Sequence, residues 1–74
     1  MVNRYGFNQL FGTNAQGFIF PLFNTWINEA YYAPYVNIPR GLAFGGVDLY
    51  AVQGRDVAAI WDSALNRITI SGFF

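Results

Sequence analysis

The side chains that most often carry out chemistry are scarce in this sequence of 74 residues. It has no histidine and no cysteine, which excludes the usual general base, the thiolate nucleophile and nearly every transition-metal site. Ser63 and Ser71 therefore have no base to activate them. Asp48 and Asp62 could form the carboxylate pair of a glycosidase, but that chemistry needs a cleft that so short a chain can hardly build. We expect both aspartates in solvated turns or beside arginine, no catalytic residue, and a protein that is not an enzyme.

Metal and phosphate sites are not indicated either. Asp48, Asp56 and Asp62 lack the spacing of a calcium-binding EF-hand loop. Three glycines within residues 41–46 occur without the dinucleotide-binding pattern and without the lysine of a P-loop. We expect these glycines to allow a bend or close backbone packing before a strand. The sequence predicts no cofactor and no metal.

The charge of the chain argues against nucleic acid as a partner. Four arginines balance four acidic residues, and the formal net charge is zero. Because clustered cations that neutralise phosphates supply most of the affinity for nucleic acids, such a chain would bind them weakly. A low net charge also favours association of subunits over their dispersal as monomers.

The apolar content exceeds what so small a core can cover. Hydrophobic residues make up 54% of the chain, including eight Phe, five Tyr and two Trp. By surface scaling, folding alone would bury only about 60% of the surface of a chain of this size. Without cysteine, neither a disulfide nor a thiolate metal site can add stability. The sequence therefore predicts a chain that is not a free monomer but binds copies of itself or a larger scaffold protein.

No transmembrane segment is predicted. The longest charge-free stretch, Tyr5 to Asn28, is interrupted by asparagine and glutamine, so its apolar runs fall well short of the about 20 residues that a helix needs to cross a bilayer. Arg4 is followed by a mixture of polar and aromatic residues instead of the apolar block of a signal peptide. We expect the chain to be mature from its first residue.

Residues 1–20 are predicted to form an extended aromatic arm. Glycines are interspersed with aromatic residues there, without a sustained period of 2 or 3.6. Glycine permits unusual backbone angles, and the aromatic rings could anchor in grooves of a partner. The alternative is a loop wrapped over the chain's own core.

An amphipathic helix is predicted for residues 21–33. Pro21 suits the first helical position, and Pro34 disfavours helical geometry at the residue before it. The apolar residues that recur at helical spacing are Leu22, Phe23, Trp26, Ile27, Ala30 and Tyr31. Such a stripe is typical of a helix face that packs on a core.

A three-stranded antiparallel meander is predicted for residues 42–74. Its strands are Val47–Val52, Val57–Asp62 and Arg67–Phe74. Residues 57–68 also fit a helical stripe with Asp56 as its N-cap, which is the alternative. The strand interpretation is favoured because Asn66 suits a turn and the β-branched residues after it need a strand partner. In either case we expect Trp61 to be buried.

Together these elements predict one small domain of the α+β class that is mostly β. Its composition resembles that of small accessory subunits of large assemblies, such as capsid and tail components of viruses and phages. The resemblance implies a non-enzymatic structural subunit that cements such a particle, with the virion as its location. The residues expected to bind the partner are Phe7, Phe11, Phe18, Phe20, Trp26, Phe73 and Phe74.

Main-chain pairing along Arg67–Phe74 would add a strand to the partner's sheet in such a subunit. The same sequence leaves two other functions open. One is a self-assembling fibre or pilus-like protein, in which Ile68–Phe74 would join identical chains edge to edge. The high hydrophobicity also suggests a small membrane-active peptide, although the absence of lysine opposes it.

Overall fold

A computed structural model describes residues 2–74, which are mostly β, as predicted. The elements are β1 (Asn3–Tyr5), α1 (Phe7–Leu10), β2 (Phe11–Thr13), β3 (Ile19–Pro21), β4 (Asn24–Ile27), β5 (Ala30–Tyr32), β6 (Ala43–Phe44), β7 (Val47–Asp48), β8 (Val57–Asp62) and β9 (Arg67–Phe73). Within this part of the chain, no helix has the length and apolar character needed to cross a membrane.

Five strands form the main sheet, in the order β1-β8-β9-β4-β5. The strand β9 pairs antiparallel with β8 and parallel with β4, so the C-terminal strand lies at the centre of the sheet. The hairpins β2-β3 and β6-β7 form two smaller sheets. The edges of the main sheet are therefore β1 and β5.

The predicted hairpin between β8 and β9 is confirmed, and the helical alternative for this segment is wrong. The two strands pair from Asp62 opposite Arg67 to Val57 opposite Phe73, with a bulge beside Ala58. Asn66 closes the turn with a φ of 49°, the left-handed conformation that asparagine tolerates.

The predicted first strand of the meander is mostly absent. Only Val47 and Asp48 are extended, and they pair with β6 instead of β8. The Asp48 carboxylate accepts a hydrogen bond from the backbone N–H of Tyr50 at 3.0 Å, and this local bond favours a turn over a longer strand. The position beside β8 is occupied by β1, from the other end of the chain.

The predicted helix over residues 21–33 is wrong. This segment contains β4 and β5, joined by a two-residue turn in which Asn28 has a φ of 54°. Thr25 and Ile27 point into the core while the residues between and beside them do not, which is the alternation of a strand. Pairing with β9 over Arg67–Ile70 provides backbone hydrogen bonds that no local pattern could reveal.

Residues 1–20 do not form an extended arm in the part the structure describes. They supply β1, α1, β2 and the start of β3, and the rings of Phe7 and Phe11 stack inside the core with centroids 4.8 Å apart. This matches the alternative of a segment wrapped over the chain's own core. The reason is that one face of the main sheet needs cover, and aromatic residues provide the most apolar area for each residue ordered.

The connections between strands cover only one face of the main sheet. The buried apolar residues from these connections and small hairpins are Phe7, Leu10, Phe11, Ile19, Ile38, Phe44 and Leu49. They pack on the sheet residues Ile27, Val57, Ala59, Ile68 and Ile70. The Tyr50 hydroxyl joins two covering segments, because it accepts the N–H of Ile19 at 2.9 Å and donates to the Ile38 carbonyl at 2.6 Å.

Candidate interaction surface

Among residues 2–74, no segment covers the second face of the main sheet. Strand register places Ile60, Thr69, Trp26 and Tyr31 side by side in one row across four adjacent strands. None of the four is buried, and Ile60 and Tyr31 are 38% and 45% exposed. Their strand neighbours in sequence point into the core, so alternation alone sends this row to the other side.

A polar row lies next to the apolar one. Register places Asp62 opposite Arg67 and Arg67 beside Asn24. We call the two rows together the open face: Asn24, Trp26, Tyr31, Ile60, Asp62, Arg67 and Thr69. The open face thus combines one aromatic and aliphatic row with one acid, one base and one amide.

The aromatic residues of the open face are held in place by their neighbours. The rings of Trp26 and Tyr31 lie 5.0 Å apart, and the Tyr31 hydroxyl donates a 2.7 Å hydrogen bond to Asn24 Oδ1. The Arg67 guanidinium lies 5.8 Å from the centre of the Trp26 ring, within the range of a cation–π contact. These contacts reduce the conformational entropy that binding would otherwise remove.

The charged pair of the open face does not neutralise itself. The only ion pair among residues 2–74 joins Arg4 to Asp56, at 2.7 Å. Asp62 instead accepts the backbone N–H groups of Ala64 and Leu65 in the turn after β8. Among residues 2–74, the Nε of Arg67 is buried and has no hydrogen-bond partner, so the nearest contact of its guanidinium is the Trp26 ring.

A small recess lies at the end of the covered side. Its volume is about 260 Å³, and its lining residues are Tyr5, Gln9, Leu10, Phe23, Trp61 and Ile68. Ligand pockets usually measure about 300–1,000 Å³ and contain several converging polar groups. Here the lining is mainly apolar, and the Oε1 of Gln9 already accepts the backbone N–H of Gly6 at 2.7 Å. The recess has room for one apolar side chain.

Trp61 is not buried, contrary to the prediction. Its side chain stands at the rim of this recess, 38% exposed, with its ring 5.1 Å from that of Phe23 in an edge-to-face contact. The reason is its place near the end of β8, beyond the segments that cover the middle of the sheet.

The predicted partner-binding residues do not form one site. Phe7 and Phe11 are buried and unavailable for contact in this fold, which corrects their assignment. Those that are half-buried are Phe18, Phe20, Trp26 and Phe73, and only Phe74 is exposed. Of the seven, only Trp26 belongs to the open face.

The four outlying phenylalanines have partners of their own within the chain. Phe20 lies over Gly12, where a side chain would collide with its ring, and Phe18 lies 5.9 Å from the Arg40 guanidinium. Phe73 packs against the core, and the guanidinium of Arg4 lies 4.1 Å from the centre of the Phe74 ring.

Sequence reasoning missed Tyr31, Ile60 and Arg67 as residues that lie on one surface. Tyr31 was assigned to a helix stripe, which hid its place beside Trp26. The alternation in β9, which turns Arg67 and Thr69 away from the core, was a visible signal of a second face. What the sequence could not show is that β4 lies beside β9 and brings Trp26 to the same row.

The residues considered for chemistry are separate from one another and engaged locally. Asp48 and Asp62 each accept backbone N–H groups in turns, and the Ser71 hydroxyl donates to the Ala58 carbonyl at 3.1 Å. Among residues 2–74, no group of three or more acidic, histidine or cysteine side chains could hold a metal ion.

Comparison with known proteins adds no family to this geometry. No protein-family model matches the chain, and neither a curated protein nor a solved structure matches it.

Proposed function

We propose that this chain is a non-enzymatic structural subunit that cements a larger assembly, with the open face as its docking surface. Its partners are copies of itself or a larger scaffold protein. The observation that carries this proposal is the uncovered row of Ile60, Trp26 and Tyr31 on a sheet whose other face carries the hydrophobic core.

The residue types of the open face support a protein contact. A sheet face that stays in water usually carries polar residues, whereas this row is mainly apolar. Trp, Tyr and Arg are the residues that most often dominate the binding energy of protein interfaces, and Trp26, Tyr31 and Arg67 lie together here. Docking would remove from water only the part of each ring that is still exposed, such as the 45% of Tyr31, and this apolar area adds to the binding energy.

The charge of the chain supports close packing of many copies. Its net charge is zero, so neighbouring copies would not repel one another. A virus or phage particle, in which small subunits repeat over a lattice, is the context we propose, in line with the composition.

The route of assembly differs from main-chain pairing along the last strand. β9 has β8 on one side over its whole length and β4 on the other over Arg67–Ile70, so its backbone groups there are already paired. The fibre alternative would consequently need a different edge, and the side chains of the open face become the main docking groups.

Sedimentation of the protein in the state in which it is isolated from its source tests the proposal. We expect wild-type protein in a species much heavier than 8.3 kDa, and Trp26→Ser to shift a large part of it towards the monomer. The matched control is Leu65→Ser, because Leu65 is 57% exposed but lies in the turn outside the open face. A monomeric wild type, or equal behaviour of the two variants, would overturn the proposal.

A further inference from the structure

The two edges of the main sheet differ in how they are protected. Edge strands can pair with other chains, and proteins usually prevent this with charged side chains, proline or bulges. At β1, Arg4 forms an ion pair with Asp56 and stacks over Phe74. At β5, the residues Ala30, Tyr31 and Tyr32 include no charge and no proline, and the register with β4 contains no bulge.

The geometry of the β4-β5 hairpin shows which backbone groups face outwards. Ala30 and Ile27 close a two-residue turn, so their N–H and C=O groups bond to each other across the hairpin. Because pairs alternate along an antiparallel ladder, the N–H and C=O of Tyr31 point away from β4. Within residues 2–74, these two groups take part in no backbone hydrogen bond outside the sheet.

We propose that a second copy of this chain adds to the free edge of β5, with β5 of each copy antiparallel about a two-fold axis at Tyr31. Each Tyr31 N–H then donates to the Tyr31 carbonyl of the other copy. The result is a ten-stranded sheet shared by the dimer. This inference deepens the proposed function and rests on it, because the open faces of the two copies together would form the docking surface.

The side chains next to the edge fit this arrangement. Two-fold pairing at Tyr31 places Glu29 opposite Ala33 of the second copy, so like charges do not face each other. The two Tyr31 rings become neighbours across the axis, and each is 45% exposed in the single chain. The open faces of the two copies then join, with both Trp26 rings in one continuous row.

The Tyr31 side chains strengthen the dimer because β5 is short. A strand of three residues offers few main-chain hydrogen bonds, so a dimer held by these bonds alone would dissociate readily, although a disulfide would still trap it. The aromatic pair at the axis adds apolar burial to those bonds, as cross-strand aromatic pairs do within sheets.

Cysteine cross-linking tests the inference. Because the natural chain has no cysteine, a single introduced cysteine can form a disulfide only with its counterpart in a second copy. In the proposed register the two Tyr31 Cα atoms lie about 5.5 Å apart, within the range that a disulfide can bridge. We expect mild oxidation of purified Tyr31→Cys to yield a disulfide-linked dimer as the main product. The matched control is Ile60→Cys, because Ile60 lies on the same open face but three strands from the axis. This variant should migrate as a monomer in non-reducing gel electrophoresis.

The outcomes separate this inference from the proposed function. Cross-linking of Ile60→Cys at the same rate as Tyr31→Cys would mean that copies meet face to face, and would overturn edge pairing while leaving the open face as the docking surface. No cross-linking of either variant would overturn the dimer and leave docking on a scaffold.

A chemical variant keeps the test valid if the loss of the tyrosine ring weakens the dimer. A synthetic chain methylated on the Tyr31 backbone nitrogen keeps the side chain but removes the outward donor. We expect it to lose at least tenfold in dimer affinity by sedimentation equilibrium, with an unchanged circular dichroism spectrum. Methylation at Ala15, which is exposed in the β2-β3 turn, is the control and should leave the affinity unchanged. Equal affinities of the two chains would contradict edge pairing.

Discussion

The two faces of the main sheet are built from the same strands but have opposite surroundings. On the covered face, Ile27, Ile68 and Ile70 are at most 4% exposed. On the open face, their sequence neighbours Trp26 and Thr69 remain half-buried, and Ile60 is 38% exposed. The connections of so short a chain cover the middle of one side of a five-stranded sheet, and the apolar residues on the other side stay in contact with water.

The largest effect is expected on the covered face. Ile68 is 1% exposed at the centre of the core, so Ile68→Ala should lower the free energy of unfolding by about 2–5 kcal/mol through lost burial and a cavity. That approaches the whole stability of a domain of this size, about 3–5 kcal/mol. Urea unfolding followed by circular dichroism measures it. Thr69→Ala, one residue along on the open face, should change the free energy of unfolding by no more than about 0.5 kcal/mol. Equal losses in the two variants would contradict the claim that the covered face contributes more to stability than the open face.

A smaller effect is expected at the rim of the covered face. Trp61 is 38% exposed and makes one aromatic contact with Phe23, so Trp61→Ala should lower the free energy of unfolding by about 1–2 kcal/mol. The same urea titration measures this loss. A loss as large as that of Ile68→Ala would show that Trp61 belongs to the core after all.

The open face should matter less to folding than to assembly. Trp26→Ser removes contacts with Tyr31 and Arg67 and exposes apolar surface, which should lower the free energy of unfolding by about 1–2 kcal/mol. Its effect on association should be larger, about 2 kcal/mol or more, because central tryptophans dominate interfaces. Thermal unfolding and sedimentation of the same preparation compare the two quantities. Loss of folding before any loss of association would place Trp26 with the core.

The smallest effect is expected at the charged edge. The ion pair of Arg4 and Asp56 is exposed on both sides, so Asp56→Asn should lower the free energy of unfolding by only about 0.2–1 kcal/mol. The difference from wild type should shrink in about 1 M salt, which screens exposed charges. Unfolding titrations at low and high salt measure this, and a loss that salt does not change would assign the effect to packing on Phe74.

The parts of the fold that the sequence predicted are those set by residues close together in the chain. The β8-β9 hairpin followed from alternation and from Asn66, both of which act within a few residues. The helix prediction failed because Trp26 and Tyr31 lie on one sheet face while Ile27 lies on the other, and these positions also fit a helical period. Pairing of β4 with β9 joins residues more than 40 positions apart, and such contacts leave no mark in a single sequence.

The candidate surface was predictable to the same extent. Trp26 was predicted as a contact residue from its type, and this stays a prediction, whereas its placement on a helix was wrong. Phe7 and Phe11 were assigned to a partner because their segment shows no period, whereas they fold back onto the sheet through α1. Aromatic content alone therefore does not distinguish a ring that packs on the chain's own core from a ring that is exposed for contact with another chain.

Hydroxyl-radical footprinting of the assembled protein tests the central claim most directly, because the chain offers two tryptophans on opposite faces of one sheet. We expect the oxidation rate of Trp26 to fall several-fold in the assembly relative to the isolated chain, and Tyr31 to follow it. The rate of Trp61, which lies on the covered side, should stay the same. Protection of Trp61 with no protection of Trp26 would contradict the assignment of the open face as the docking surface.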